Sequence, residues 1–207
     1  MALQSQSSED FEIRSLVLRE RFYKDTFQWD KWRRTYHDDD EKTWIEIAWI
    51  SGTIDKFVRE SKQMANRVSS THFIQPVDVQ IHGAKALAHS YGHITLRSSD
   101  DGHEYDMVSW GWWIHRAVKV EGASGTSWML VAMRFIYDRD SIIPTCPSSK
   151  ATLDVHTAEG ARSSYKYLHW VLTRRGYEIS AKLAGSDDRS SVESLRAQEE
   201  HWLNSTE

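Results

Sequence analysis

The sequence is poor in cysteine and proline and contains no long apolar run. Cys146 is the only cysteine among 207 residues, which excludes an internal disulfide and favours a reducing compartment. No apolar segment approaches the roughly 20 residues that a membrane-spanning helix needs. The first ten residues, MALQSQSSED, lack a basic region followed by an apolar stretch, so they do not resemble a secretory signal. We therefore expect a cytoplasmic protein with no membrane partner.

An excess of positive charge is also missing. The formal net charge is -4 at pH 7, which gives no electrostatic reason for binding a polyanion. Basic pairs such as Arg33-Arg34 and Arg174-Arg175 are too short to follow a phosphate backbone. Nucleic acid is therefore not an expected partner.

Signatures of cofactor and metal sites are absent as well. The sequence has no phosphate loop, no dinucleotide-binding glycine pattern and no Gly-x-Ser-x-Gly elbow. His89 and His93 share one face of a predicted strand, but at roughly 3.3 Å per residue they lie about 13 Å apart, too far to share one ion. We therefore expect neither a cofactor nor a metal.

Aromatic residues, in contrast, are abundant: the chain has 10 Trp, 8 Tyr and 6 Phe. Aromatic rings fill protein cores, and they also line pockets for small molecules. Core packing explains several of these residues, but ten tryptophans are more than a domain of this size usually needs. The count favours an enclosed aromatic cavity, and a small-molecule substrate is the expected partner.

Hydrophobic periodicity divides the chain into a helical beginning, a β-rich middle and a helical end. Helices are predicted at 9–26, from Asp30 to about Tyr36, from Ser51-Gly52 onward, from about Ala158 to Arg175 before Gly176, and from a capping box Ser190-x-x-Glu193 onward. Strands are predicted at Thr43–Trp49, Phe73–Ile81, Ala84–Leu96, Tyr105–Val120 and Trp128–Tyr137. Hairpin-like loops join the last strands, so they should form an antiparallel meander.

This order of elements predicts an α+β fold. A strongly bent antiparallel sheet closed by helices makes a cone with an apolar interior and one deep pocket. We expect one domain over residues 1–207, with a core at about 9–144. A C-terminal extension at about 150–204 should add two further helices.

Five stretches carry a resemblance to a known family. They are RFYKDTFQWDKW at 21–32, WISG at 49–52, STHFIQP at 70–76, RFIYDRDSIIP at 134–144 and YKYLHWVLTRRGY at 165–177. Together they resemble the SnoaL-like branch of the nuclear transport factor 2-like superfamily. This branch is similar in fold to scytalone dehydratase, polyketide cyclases and hexachlorocyclohexane dehydrochlorinase, and it also has many members without catalysis. The resemblance implies a cone-shaped α+β barrel.

The resemblance also implies a set of site residues. In the dehydrochlorinase the base is a histidine oriented by an aspartate that follows the first helix, and those positions look like His72 and Asp25. An arginine on the last strand looks like Arg134, and a tryptophan on the first strand looks like Trp44. The lysine that the dehydrochlorinase uses one turn earlier on the first helix falls near Glu20, which argues against halide removal.

A histidine partner would explain why an acid occupies position 25. In the sequence Asp25 is surrounded by four rings: Tyr23, Phe27, Trp29 and Trp32. A carboxylate buried among rings is costly alone, but it can fix the tautomer of a histidine base and stabilise the imidazolium that forms. In the alternative interpretation, Asp25 merely ends the first helix and His72 is a structural histidine.

Arg134 lies in an otherwise apolar predicted strand. A charged residue there requires an anionic partner, which is either an oxyanion on the substrate or a structural acid such as Asp138 or Asp140. Both interpretations remain open at the level of the sequence.

The strand at Tyr105–Val120 presents tryptophans on both faces. Trp110 and Trp112 share one face, whereas Ser109, Gly111 and Trp113 share the other. Small residues allow another element to approach closely, so we expect the Trp110 and Trp112 face to line the cavity. Together with Tyr23 and Trp44, these two tryptophans form the predicted substrate-binding set.

The resulting hypothesis is a cofactor-independent lyase or isomerase that acts on a polycyclic or aromatic secondary metabolite. His72 would remove a proton from carbon, Asp25 would hold His72, and Arg134 would stabilise an oxyanion or leaving group. Dehydration, double-bond migration and cyclisation use the same machinery. The alternative is a non-catalytic small-molecule-binding or assembly module with the same cavity.

A homodimer is the expected assembly. A bent sheet that encloses a cavity with one face leaves its outer face to be covered. The face bearing His89, Tyr91 and His93 is the candidate contact, unless the C-terminal helices cover it.

Overall fold

A curved six-stranded sheet is the frame of the structure, a computed structural model that describes residues 2–66, 68–100, 103–122, 125–146 and 161–206, without the side chains of 2–6 and 100. The strands are β1 (Trp44–Ile47), β2 (Ile50–Gly52), β3 (Ser69–His82), β4 (Lys85–Asp100), β5 (His103–Gly122) and β6 (Gly125–Pro144). The helices of this part of the chain are α1 (Ala2–Asp25), α2 (Trp29–Arg33), α3 (Ile54–Ala65), α4 (Lys166–Thr173) and α5 (Arg189–Asn204). None of these helices is long and apolar enough to cross a membrane.

The strands are arranged in the order β2-β1-β6-β5-β4-β3. Strands β3 to β6 pair antiparallel in sequence order, which confirms the predicted meander. Strand β1 joins the edge of β6 in parallel and pairs antiparallel with β2, a short strand that the sequence analysis missed. The α+β class is therefore confirmed, and the curved sheet stays open between its edges β2 and β3.

Helices cover both faces of the sheet. On the concave face, α1 buries a stripe formed by Ile13, Leu16 and Val17, and α2, α3 and α4 complete the same core. On the convex face, α5 packs Val192 and Leu203 onto a second, smaller apolar cluster of strand residues: Leu87, Ile114 and Ile136. The two helices of the C-terminal extension thus lie on opposite faces of the sheet. Helix α4 closes the concave side, and α5 covers part of the convex side.

Several helix ends differ from the sequence predictions. Gln28 precedes α2, so Asp30 lies inside this helix and does not cap it. The predicted capping box at Ser190 is wrong, because Asp188 caps α5 by accepting hydrogen bonds from the backbone amides of Ser190 and Ser191. The helix predicted from Ala158 is observed as α4, and its predicted beginning lies outside the described residues.

Close approach of the strands requires glycine at Gly92 in β4. A Cβ atom placed there would lie 1.9 Å from the carbonyl oxygen of Phe73 and 2.9 Å from the ring of Trp113. Because such distances are shorter than any van der Waals contact, only glycine lets the backbone of β3 and the ring of Trp113 approach β4 this closely. Near its beginning, β3 also contacts the end of α1.

Candidate active site

The end of α1 is joined to β3 by a double hydrogen bond between Asp25 and His72. The backbone amide of His72 donates to Oδ2 of Asp25 at 2.7 Å, and ring atom Nδ1 of His72 lies 2.7 Å from Oδ1. The two side chains are 15% and 6% exposed, respectively. The structure therefore brings together the two residues that the resemblance paired.

The protonation states of Asp25 and His72 follow from this geometry. Burial raises the pKa of Asp25, but the hydrogen bond and charge interaction with His72 outweigh burial and leave that pKa below its usual value. An ionised carboxylate only accepts hydrogen bonds, so Nδ1 of His72 carries the hydrogen. Burial, followed by the positive charge of Lys24, lowers the pKa of His72 to about 4. At neutral pH the ring is neutral, and its Nε2 is an unprotonated base.

His72 lines an apolar cavity of about 40 Å³ between the concave face and the helices. The rings of Trp49, Phe57 and Trp113 form part of its wall, and α4 closes it with Leu168 and Leu172. The ring centroids of His72 and Trp113 are 6.3 Å apart. An aromatic cavity exists, as the sequence suggested, but other tryptophans line it than the predicted set.

The predicted tryptophans lie elsewhere. Trp44 is 46% exposed at the beginning of β1. Trp110 contacts His93 on the convex face, with tilted rings whose centroids are 6.3 Å apart, and the ring centroids of Trp112 and Tyr91 are 6.0 Å apart. The choice of face on β5 was therefore wrong.

The crowding of the concave face explains this reversal. A Cβ atom on Gly111 would lie 2.7 Å from the ring of Phe135 and 2.1 Å from the carbonyl oxygen of Ile136. At this point of β5 the inner face has no room for a side chain, so Gly111 must face inward. Ser109 is fully buried on that inner side of β5.

Arg134 also lies on the convex face, away from His72. Its Nε is 3.2 Å from Glu46, and its Nη1 is 2.8 Å from Glu199 of α5. The alternation of β6 turns Met133 into the cavity and Arg134 outward. The predicted role of Arg134 at the dyad is thus not supported, since two carboxylates that the sequence analysis did not pair with it occupy its guanidinium.

Tyr23 does not line the cavity either. It is half-buried beside Phe22, with ring centroids 5.9 Å apart, and the ammonium of Lys31 lies 5.6 Å from its ring. The residues of α1 that do reach the cavity are Arg21 and Lys24. The sequence feature that places Arg21 and Lys24 on the buried side of α1 is its apolar stripe, which continues at helical spacing from Ile13 to these positions.

A buried polar cluster lies behind Arg21. The guanidinium of Arg21 pairs with both carboxylate oxygens of Glu20, and Glu20 Oε1 also accepts hydrogen bonds from Trp32 Nε1 at 2.6 Å and the hydroxyl of Tyr36 at 3.1 Å. Burial raises the pKa of Glu20, but the charge of Arg21 outweighs burial and lowers it. Glu20, near which the resemblance placed the dehydrochlorinase lysine, is therefore a structural counter-ion of Arg21.

His115 lies next to this cluster without a hydrogen-bonding role. It is fully buried, and neither ring nitrogen has a hydrogen-bond partner within the described residues. Burial is the main reason why the pKa of His115 is lowered to about 4, since the charges of Glu20 and Arg21 act in opposite directions. Its neutral ring is a cost to folding that an apolar residue would not carry.

The lowered pKa values of His72 and His115 predict a loss of stability in acid. Between about pH 6.5 and 4 the unfolded chain binds more protons than the folded chain, so the free energy of unfolding falls as the pH falls. Each histidine accounts for a loss on the order of 3 kcal/mol. We expect His115→Leu to be at least as stable as wild type at pH 7, with a weaker pH dependence in urea denaturation.

The matched control for this prediction is His82→Leu, because His82 is exposed on the edge strand β3. This variant should keep the wild-type pH dependence. An equal pH dependence in His115→Leu and wild type would contradict the assignment of a buried neutral ring to His115.

Comparisons with known proteins agree with the fold. A family model described as the SnoaL-like domain matches residues 6–134. Pea pathogenicity protein 2 of Fusarium vanettenii is 22% identical over 98% of this chain and 88% of its own length. A putative scytalone dehydratase from Novosphingobium aromaticivorans superposes with a TM-score of 0.53 at 14% identity, covering 72% of this chain and 95% of that one.

A protein from Kribbella flavida, Kfla4162, superposes with a TM-score of 0.51 at 16% identity, covering 68% of this chain and 93% of that one. At such identities these solved structures show the fold alone. The family model, in contrast, spans more than half of the chain, including the residues of the double hydrogen bond. The chain belongs to the SnoaL-like domain family.

Proposed function

We propose that the protein is a cofactor-independent lyase or isomerase in which His72 is the general base. The observation that supports this function is the hydrogen bond that holds His72 Nδ1 on Asp25 while His72 lines an apolar cavity. Nε2 is then the atom that takes the proton, and the carboxylate of Asp25 stabilises the resulting imidazolium.

The reaction needs only one proton carrier. A C–H bond of the substrate breaks, its proton moves to Nε2 of His72, and its electron pair forms a new C=C bond. In an isomerisation the old C=C bond breaks, and its electron pair takes the proton back from His72 at another carbon of the same substrate. In a dehydration His72 gives the proton to the departing hydroxyl group, which leaves as water.

The size of the cavity restricts the substrate. About 40 Å³ accommodates only a few heavy atoms, since one water needs roughly 10–15 Å³ on this measure. A larger cleft of about 590 Å³ lies beyond Ile47–Trp49, but its lining includes Arg134 and not His72. The small volume of the cavity that His72 lines therefore favours a small substrate over the polycyclic metabolite that the resemblance implies.

A second candidate is a non-catalytic binding module. It is favoured by one observation: Asp25 accepts a hydrogen bond from the backbone amide of His72 as well as one from its ring. The pair could therefore serve only to attach α1 to β3, and the cavity could hold a ligand without converting it. The two candidates differ in whether the ring of His72 is needed for turnover.

The catalytic proposal predicts unequal effects of two substitutions. Against a panel of small ketones and β-hydroxy carbonyl compounds, proton NMR in D2O should detect exchange or elimination with the wild-type protein. His72→Ala should lose about 10²–10⁴-fold in rate, the usual contribution of a general base. Asp25→Asn should also slow the reaction strongly, because an amide can hold the ring in the wrong tautomer.

The control is His93→Ala, which removes a histidine from the convex face and should leave the rate unchanged. Urea denaturation of each variant separates loss of catalysis from loss of folding. If His72→Ala folds and turns over an active compound at the wild-type rate, His72 is structural and the catalytic function is wrong.

The homodimer stays a proposal of its own. Helix α5 covers the His89 end of the convex face, whereas Phe73 and Tyr91 remain 61% and 59% exposed. A second copy that pairs through these rings would bury them on both chains. Sedimentation should then show twice the 24.1 kDa of the chain, and Tyr91→Lys should shift the species to 24.1 kDa. A wild-type species of 24.1 kDa at micromolar concentration would refute the dimer.

A further inference from the structure

Lys24 is a buried cation at the wall of the His72 cavity. It lies in the last turn of α1, its side chain is 11% exposed, and it lines both this cavity and a smaller adjoining gap beneath Phe27 and Trp29. Its Nζ is 3.9 Å from Oδ1 of Asp25 and 6.0 Å from the ring of Trp32. The ammonium group therefore lies beside the proposed base, in largely apolar surroundings.

The hydrogen-bond donors of Lys24 are not used within the described part of the chain. Its ion pair with Asp25 is longer than a hydrogen bond, and both oxygens of Asp25 already accept hydrogen bonds from His72. Arg21, one turn earlier, differs in this respect, because Glu20 binds its guanidinium directly. Lys24 lines the cavity with these donors unused, so an oxygen atom of a ligand can accept a charge-assisted hydrogen bond from its ammonium.

The charge of Lys24 is consistent with binding an oxygen atom of a ligand. Burial, followed by the charge of Arg21, lowers the pKa of Lys24 to about 8, so the group is still mostly protonated at neutral pH. Arg21 is compensated by Glu20, and Asp25 is shared between His72 and Lys24. Lys24 thus retains the only cationic group on the described cavity wall that is free to bind a ligand oxygen.

We propose that Lys24 binds the carbonyl oxygen of the substrate, so that the site takes small carbonyl compounds with a hydrogen on the adjacent carbon. This inference deepens the proposed function and rests on it for the chemical step. When His72 takes the proton, the C–H electron pair forms a C=C bond and the carbonyl π pair moves onto oxygen. The ammonium of Lys24 stabilises the enolate oxygen that results, the role that the sequence had assigned to Arg134.

Binding of a small oxyanion tests the site without requiring turnover. Acetate is the probe, because it has the planar oxygen–carbon geometry of a small enolate and only four heavy atoms. At constant ionic strength, acetate should shift the ring nitrogen signals of His72 in a saturable manner. Lys24→Met should weaken acetate binding about tenfold or more, since a charge-assisted hydrogen bond is lost. Lys31→Met, the control at an exposed position of α2, should bind acetate like the wild type.

Two outcomes would overturn the assignment of Lys24. One is a wild-type protein whose His72 signals do not respond to acetate, and the other is a folded Lys24→Met variant that binds acetate as tightly as wild type. If Lys24→Met does not fold, Lys24→Gln serves the same comparison with a polar side chain. Acetate binding that depends on Lys24 in a protein whose His72→Ala variant keeps full turnover would support the oxygen site and refute the proposed function.

Discussion

The double hydrogen bond between Asp25 and His72 is the interaction on which the rest of the site depends. It attaches the last residue of α1 to the beginning of β3. It also decides which ring nitrogen of His72 carries hydrogen. A structural attachment and a chemical assignment thus come from the same two bonds, and Nδ1 of the buried neutral ring has its hydrogen-bond acceptor.

Buried charge is concentrated at this end of α1. Glu20 and Arg21 satisfy each other, with Trp32 and Tyr36 completing the bonding of Glu20. Lys24, in contrast, has a distant ion pair and an apolar cavity in front of it. A largely buried ammonium whose donors are unused can bind a ligand oxygen. This difference between Arg21 and Lys24 is the observation that supports the proposed oxygen site.

The sequence predicted the α+β class, the meander and the pairing of residues 25 and 72, because helical and strand periodicity and family resemblance are local or linear signals. It did not predict the inner face of β5, since that depends on sheet curvature and on how Phe135 crowds Gly111. The partners of Arg134 lie on β1 and on α5, so neither could be inferred from its own strand. Lys24 could have been found by extending the buried stripe of α1, but a lysine is ordinarily assigned to solvent.

The tautomer of His72 is the property that tests the account most directly. Long-range proton–nitrogen NMR correlation on protein labelled with 15N at histidine distinguishes a ring nitrogen that carries hydrogen from one that does not. At pH 7 we predict a neutral His72 ring with hydrogen on Nδ1 and none on Nε2, and an altered pattern in Asp25→Asn. A ring with hydrogen on Nε2, or on both nitrogens, at pH 7 would leave no base facing the cavity and would contradict the account.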